Sequence, residues 1–544
     1  MPPFAGAESA RTSSFPIVAL AVTICAAWIF PALVGHDPWK PDEAYTFGVV
    51  YEILTGGSWV VPRLAGEIFL HDPPLFHLTA ALTATLFSPL LPPHDAARLA
   101  TGFYMALAFL FCALAGRELN ATRRGVIAAL LLLGCFGLVV RGHQLITDAA
   151  SFTGFAIAYY GFALALRRTS GGFWIGTGMG LVFMTQGVLE TAIVAFIALA
   201  LPLFSPWRSR GYAAALAVAV VAGLPWFTIW PALLYVQSPA LLQQWLWNEN
   251  IARVLVRGPE AGLLYYVRIL PWYAWPVWPI ALWTLWRARS TGFARPEVLL
   301  PLAGFAITFA VICAAREARE LYALPLLIPL ALLATPAVDS LRRGAANAWY
   351  WFSVTGFTFF VIVAWFYWSG LELGLPARLH AHLHRLHPGH EPGFRLLPFT
   401  LAALYTAGWL ALLAKVPRGP DRPVLIWAGG VTTIWALLAI LFVSWVDTGK
   451  SYRSTVASLQ QALPRQYQCI SSRDLGEGQR AMLHYFGGII THREEAPERR
   501  RKCDLMLVQG HPRHETPPQG AWRKIWEGGR PADKDERYRL YRRQ

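Results

Sequence analysis

The sequence predicts a polytopic α-helical membrane protein, with about 13 transmembrane helices and a small α/β C-terminal domain. Three observations predict it. The 544 residues are 55% hydrophobic and only 15% charged, against roughly 25% charged in ordinary globular domains. Apolar stretches near the ~20 residues needed to cross a bilayer recur along most of the chain. Arginines gather in the short loops between those stretches, which is the positive-inside pattern.

The elements follow in order. PIVALAVTICAAWIFPALVG (16–35) is long for a signal-peptide core and lacks a small-x-small cleavage site, so it reads as a retained first span. With Arg11 and the N-terminus inside, this span delivers residues 36–94 to the outer face. The stretch 73–91 could cross or lie on the surface. Crossing would turn Arg123-Arg124, Arg167-Arg168 and Arg208 with Arg210 outward, so 73–91 is placed at the interface. Later spans fall at about 97–115, 125–142, 149–166, 173–186, 188–205, 212–232, 264–286, 297–314, 321–338, 348–370, 396–414 and 424–446. The loops 116–125, 167–172, 206–211, 287–296, 339–347 and 415–423 then lie inside, each with at least two Lys or Arg. One outer loop, 371–395, breaks the trend with Arg378, Arg385 and Arg395. The net charge of +15 is thus mostly a topology signal, and nucleic acid is not an expected partner.

The composition changes past residue 447. Residues 1–446 read as the membrane body and 447–544 as a soluble domain on the outer face, with helices at SYRSTVASLQQAL and EGQRAMLHYFG. Strands are expected at QYQCISS, CDLMLVQG, WRKIWEGG and ERYRLYRR. There Cys469 and Cys503 are either a disulfide or two buried thiols. The other four cysteines lie in apolar runs, and no CxxC motif suggests a zinc ribbon or a thioredoxin-like site.

This threading gathers ionisable groups at outer span ends, where a membrane protein places functional residues. They are Asp42-Glu43 in WKPDEAYTFG, HDPP (71–74), Asp148 in GHQLITDAASF, and Arg316 with Arg319 in AAREARELYALP. Singly, the acids are accounted for as helix caps and the arginines as snorkelling side chains; their common face argues for more. HAHLHRLHPGH (380–390) has histidines at i, i+4 but no evident fixed fourth ligand, so it reads as a solvated loop rather than a zinc site. LPWYAWPVWPIALWTLW (270–286) reads as an aromatic interface belt, with a lipid-tail groove as the alternative.

The stretch from Asp42 to Phe87 resembles the first periplasmic loop of bacterial lipid-linked-sugar glycosyltransferases of the GT-C superfamily. That superfamily includes the 4-amino-4-deoxy-L-arabinose lipid A transferases and the dolichyl-phosphate-mannose protein mannosyltransferases. The likeness is carried by Asp42-Glu43, GSWVVPRLAG (57–66) and HDPPLF (71–76). AARLATGFYMAL (96–107), LITDAASFTGFAIAYYGF (145–162), LPWFTIWPALL, WNENIARVL and REARELYALPLLIPLALL (316–333) continue it in the usual order. The resemblance implies an inner-membrane, inverting glycosyltransferase with a periplasmic active site. It would move a sugar from a polyprenyl phosphate to lipid A, an envelope glycan or a protein.

Such chemistry needs a carboxylate for the acceptor hydroxyl and fixed positive charge for the leaving phosphate. By resemblance, Asp42 is the base, Glu43 shapes the same site and Asp148 is the second family aspartate, binding acceptor or sugar. Arg316 and Arg319 offer forked donors to phosphate, and Tyr322 a hydroxyl. Two cations of the lipid A-modifying relatives are missing. His71-Asp72 stands where they carry a lysine, and Thr185-Gln186-Gly187 where they carry Thr-Lys-Gly. The expected compensation is Arg63, or a divalent metal bridging Asp72 and phosphate; no other cofactor is implied. A transporter or flippase of lipid-linked sugars is the competing class, and would put charges or broken helices at mid-span and show an internal repeat. A non-catalytic relative in an envelope assembly complex is the third reading.

Overall fold

The computed structural model describes residues 14–120, 122–252, 263–315, 318–387, 389–496 and 503–544. Among them, seven helical segments are long and apolar enough to cross a bilayer: Pro93–Leu119, Arg210–Gln237, Pro296–Ala314, Glu320–Ser340, Arg343–Glu372, Leu396–Lys415 and Arg422–Ala462, the last of them interrupted after Lys450. Shorter helices, Ser14–Ile29, Asp148–Leu164, Gly171–Gln186 and Val188–Ala200, pack among them.

Three expected spans are not simple rods. The stretch 125–142 is broken into Thr122–Leu133 and Phe136–Arg141. Trp427 Nε1 donates to the Gly134 carbonyl there at 2.9 Å, satisfying an acceptor that the break frees. The stretch 264–286 becomes Leu263–Tyr273 and Val277–Thr291, since Pro276 at the junction has no N–H to continue the ladder. The stretch 321–338 is deeply buried, and only Leu327–Ala334 of it is α-helical, with 3₁₀ turns on either side. Pro325, Pro329 and Pro336 remove three donors from that element.

Helix Leu75–Phe87 has 13 residues. At 1.5 Å per residue it is about 20 Å long, short of the ~30 Å hydrocarbon core. It lies against Pro93–Leu119, where Thr79 Oγ1 and Tyr104 OH are 2.9 Å apart.

Ahead of it, Arg63–Leu64 (β1) and Glu67–Ile68 (β2) form a small hairpin. The final long helix runs unbroken to Lys450, four residues past the expected boundary of 446. Beyond it, helix Arg453–Ala462 precedes five strands: Ile470–Arg473 (β3), Thr491–Arg493 (β4), Leu505–Gly510 (β5), Trp522–Gly528 (β6) and Arg537–Arg543 (β7). Their order is β4-β3-β5-β7-β6, with β3 parallel to β4 and β5, and β7 antiparallel to β5 and β6. The four expected strands all form, and β4 is the one unforeseen, being only three residues long. A disulfide joins Cys469 to Cys503.

This sheet domain sits on the loop that carries Asp42. Its helix Glu477–Gly487 lies so close to helix Asp42–Leu54 that a Cβ on Gly48 would come within 2.5 Å of Ala481 Cβ. Ion pairs surround that contact: Arg480 and Arg493 meet Glu67 at 3.0 and 2.8 Å, and Arg453 meets Asp37 at 2.6 Å. Lys40 pairs with both Asp533 and Glu536.

Candidate active site

Asp42 and Glu43 open helix Asp42–Leu54, and neither side chain caps it. Consecutive helical residues point about 100° apart, so the two acids face different surroundings. Glu43 turns inward. Its Oε1 accepts from Arg98 Nε at 3.1 Å and from the Leu145 amide at 3.0 Å, and its Oε2 accepts from the Trp39 amide at 3.3 Å. Arg98 is fully buried and also donates to Asp95, at 2.7 Å, and to the Leu33 and His36 carbonyls. Burial pushes the Glu43 carboxyl up, but Arg98, His36 and two backbone amides outweigh it and hold it below the usual range. Glu43 therefore fastens the loop before Asp42 to helix Pro93–Leu119 and does not line the cavity described next.

Asp42 faces the other way, and its Oδ1 accepts from Arg319 Nη2 at 2.7 Å. Burial weakens the protonation of Arg319, but the Asp42 charge and hydrogen bond outweigh it, so the guanidinium stays charged. Arg319 stands at a cavity of about 160 Å³ whose wall includes Tyr45, Asp72, Asp148, Glu190 and Tyr322. Asp148 begins helix Asp148–Leu164 and is half-buried. Burial, and then the charges of Asp72, Asp42 and Asp148, push the Tyr45 phenol well above its usual range, leaving it a neutral donor. Asp72 Oδ2 accepts from Thr147 Oγ1 at 3.3 Å, and Thr147 Oγ1 in turn accepts from Gln186 Nε2 at 3.1 Å. Gln186, where the resemblance implies a lysine, thus hydrogen-bonds into the cavity wall without bringing charge.

The residue after it decides where the next helix starts. Gly187 has φ +77°, and a Cβ there would lie 2.3 Å from Asn250 Oδ1. That same oxygen accepts from the Val188 amide at 2.8 Å, at the N-terminus of helix Val188–Ala200. The break places Glu190 in the first turn, where Ser151 Oγ donates to it. Glu190 and Glu249, which also lines the cavity, escaped the sequence reading. A glutamate inside the apolar run VLETAIVAF was the available signal for the first.

Of the residues expected at the site, Asp72, Asp148, Arg319 and Tyr322 meet at the cavity, and Asp42 stands behind Arg319. Arg63 does not join them. It lies exposed on the β1–β2 hairpin with Nη1 on the Gly66 carbonyl at 3.3 Å, because the tight hairpin turns it outward, so it does not replace the missing lysine. Arg316 lies outside the described residues. Among the described residues, no three His, Cys, Asp or Glu are grouped so as to hold a metal ion. The 380–390 histidines lie mostly in helix Ala377–Leu386, away from the cavity; His390 Nε2 lies 3.2 Å from Glu372.

A cavity walled by carboxylates, with a charged guanidinium among them, offers fixed positive charge to an anionic leaving group and carboxylates to a hydroxyl proton. The structure of ArnT from Cupriavidus metallidurans bound to undecaprenyl phosphate matches 97% of this chain and 98% of that one, with TM-score 0.68 and 16% identity. Its apo form matches equally well. No family model matches the chain. Among curated proteins, the undecaprenyl phosphate-alpha-4-amino-4-deoxy-L-arabinose arabinosyl transferase of Pseudomonas savastanoi pv. phaseolicola is 26% identical over 431 residues, 76% of this chain and 75% of that protein. A transferase of the same name from Sodalis glossinidius is 30% identical over 331 residues, 58% of this chain and 57% of its own length. The chain is thus similar in sequence to undecaprenyl phosphate-aminoarabinose transferases and shares the fold of ArnT.

Proposed function

We propose that this protein transfers a sugar from undecaprenyl phosphate, or a similar polyprenyl phosphate, to a hydroxyl of an envelope acceptor, with lipid A the first candidate. The observation that carries this is Arg319, held charged by Asp42 at the mouth of a cavity walled by Asp72, Asp148 and Glu190. The guanidinium suits the phosphate. The acids, with Glu249, suit a sugar that bears a protonated amine, such as the one in the relatives' names.

The acceptor oxygen attacks the anomeric carbon as the bond from that carbon to the phosphate oxygen breaks. The polyprenyl phosphate leaves with the electron pair, and the acceptor proton passes to a carboxylate. Expectation from the sequence gave that proton to Asp42. The geometry favours Asp148, which lines the cavity directly, with Asp42 setting Arg319 for the phosphate.

The orientation follows from the same chemistry. The N-terminus lies in the cytoplasm, the membrane body runs through the helix that ends at Lys450, and the residues beyond it form a periplasmic domain. The Cys469–Cys503 disulfide supports an oxidising side for that domain. The test is transfer of labelled sugar from undecaprenyl-phosphate donors to purified envelope acceptors. Asp148→Asn should lower kcat roughly 10²–10⁴-fold, while Asp42→Asn should act mainly on donor KM. Wild-type rates from Asp148→Asn would remove it as base, and no transfer by the wild-type protein to any acceptor would remove the function.

A further inference from the structure

The aromatic run 270–286 is not used by the cavity. Trp275, Ile280 and Trp283 form one wall of a separate groove of about 570 Å³, and Ala348, Trp349 and Phe352 of helix Arg343–Glu372 form the other. That volume is within the roughly 300–1,000 Å³ of sites that hold organic ligands. The walls are apolar except at one end. There the Arg342 guanidinium lies 5.8 Å over the Trp283 ring. Arg287 projects one turn beyond Trp283, in the wall of an adjoining polar hollow of about 400 Å³ that also includes Thr284 and Ser340. Both arginines are exposed; the hollow's one carboxylate among the described residues, Glu297, is held by Arg295 at 2.6 Å and forms no ion pair with Arg287.

This basic end is remote from the catalytic cavity. Helix Pro296–Ala314 starts beside the hollow and ends beside Arg319, and its 19 residues span about 28 Å. A polyprenyl tail anchored at Arg319 would present only its hydrocarbon terminus to Arg342 and Arg287. Paired cations at the mouth of an apolar groove complement an anionic headgroup with its acyl chain.

We propose that this groove is a second lipid site, which seats an acyl chain of an anionic glycerophospholipid and binds its headgroup phosphate through Arg342 and Arg287. Chains of any bilayer lipid can wet the apolar walls; the two guanidiniums make the site select by headgroup. The full-length protein, purified in mixed micelles with equal phosphatidylglycerol and phosphatidylethanolamine, is examined by native mass spectrometry with and without added undecaprenyl phosphate. Phosphatidylglycerol should be retained in preference. Arg342→Gln should weaken that preference roughly fivefold, and Ala348→Phe, which fills the groove, should abolish retention. Ala348→Leu serves where the larger side chain prevents folding. Equal retention of the two phospholipids, or unchanged retention in Arg342→Gln, would overturn the proposal. Displacement of phosphatidylglycerol by undecaprenyl phosphate would also overturn it, by making the groove a donor-tail site.

Discussion

Asp42 and Glu43 are adjacent in the chain, each paired with an arginine, and they do opposite work. Glu43–Arg98 is sealed, with both side chains at most 1% exposed and every oxygen of the glutamate engaged. Asp42–Arg319 is the open pair, its arginine 36% exposed and facing the cavity. A buried pair is costly to break, because the partner left behind is an uncompensated charge. A pair at a cavity mouth is partly solvated and free to trade one partner for a ligand. The difference separates a fastening from a binding site that residue type alone would merge.

Four measurements would break or sharpen that contrast. The largest effect is expected for Arg98→Ala, which strands Glu43 and Asp95. It should destabilise the protein by about 3–5 kcal/mol, read as loss of the folded protein in detergent. Next, Arg319→Ala should lower kcat/KM roughly 10²–10³-fold with a thermal midpoint close to wild type. An equal loss of stability in both variants would erase the distinction.

The third measurement uses acid. The Glu43 carboxyl is held below its usual 4.5 in the folded state. Its stabilising contribution is therefore complete above that value and is lost as pH falls through the lower, folded-state one. Thermal midpoints measured down through this range should fall more steeply for the wild-type protein than for Glu43→Gln. The smallest effect is expected for Arg63→Ala, an exposed hairpin residue, with stability changed by less than about 0.5 kcal/mol and transfer unchanged. A clear loss of transfer there would return Arg63 to the phosphate.

Much of the architecture was legible because hydrophobic periodicity and loop charge are local signals. The sheet domain also announced itself, through the change in composition past residue 447 and four strand patterns. What escaped were features set by distant partners. Pro276 marks a break along the chain itself, whereas the break at Gly134 is met by Trp427, which comes from far away in sequence. Glu190 was hidden in an apolar run, and its meaning came from Asp72 and Asp148 on other elements.

By itself, then, the sequence determined that this is a many-span protein with acids and arginines at one set of span ends. It also showed two cations missing from a family pattern, because residue identity and spacing are written along the chain. Only the tertiary structure decided which acid met which arginine. One step along a helix turns a side chain by about 100°, and what it then meets depends on helices brought from far away in sequence. So Glu43 found Arg98, 55 residues on, while Asp42 found Arg319, 277 residues on. Arg63, equally well placed by sequence, was turned out on its hairpin.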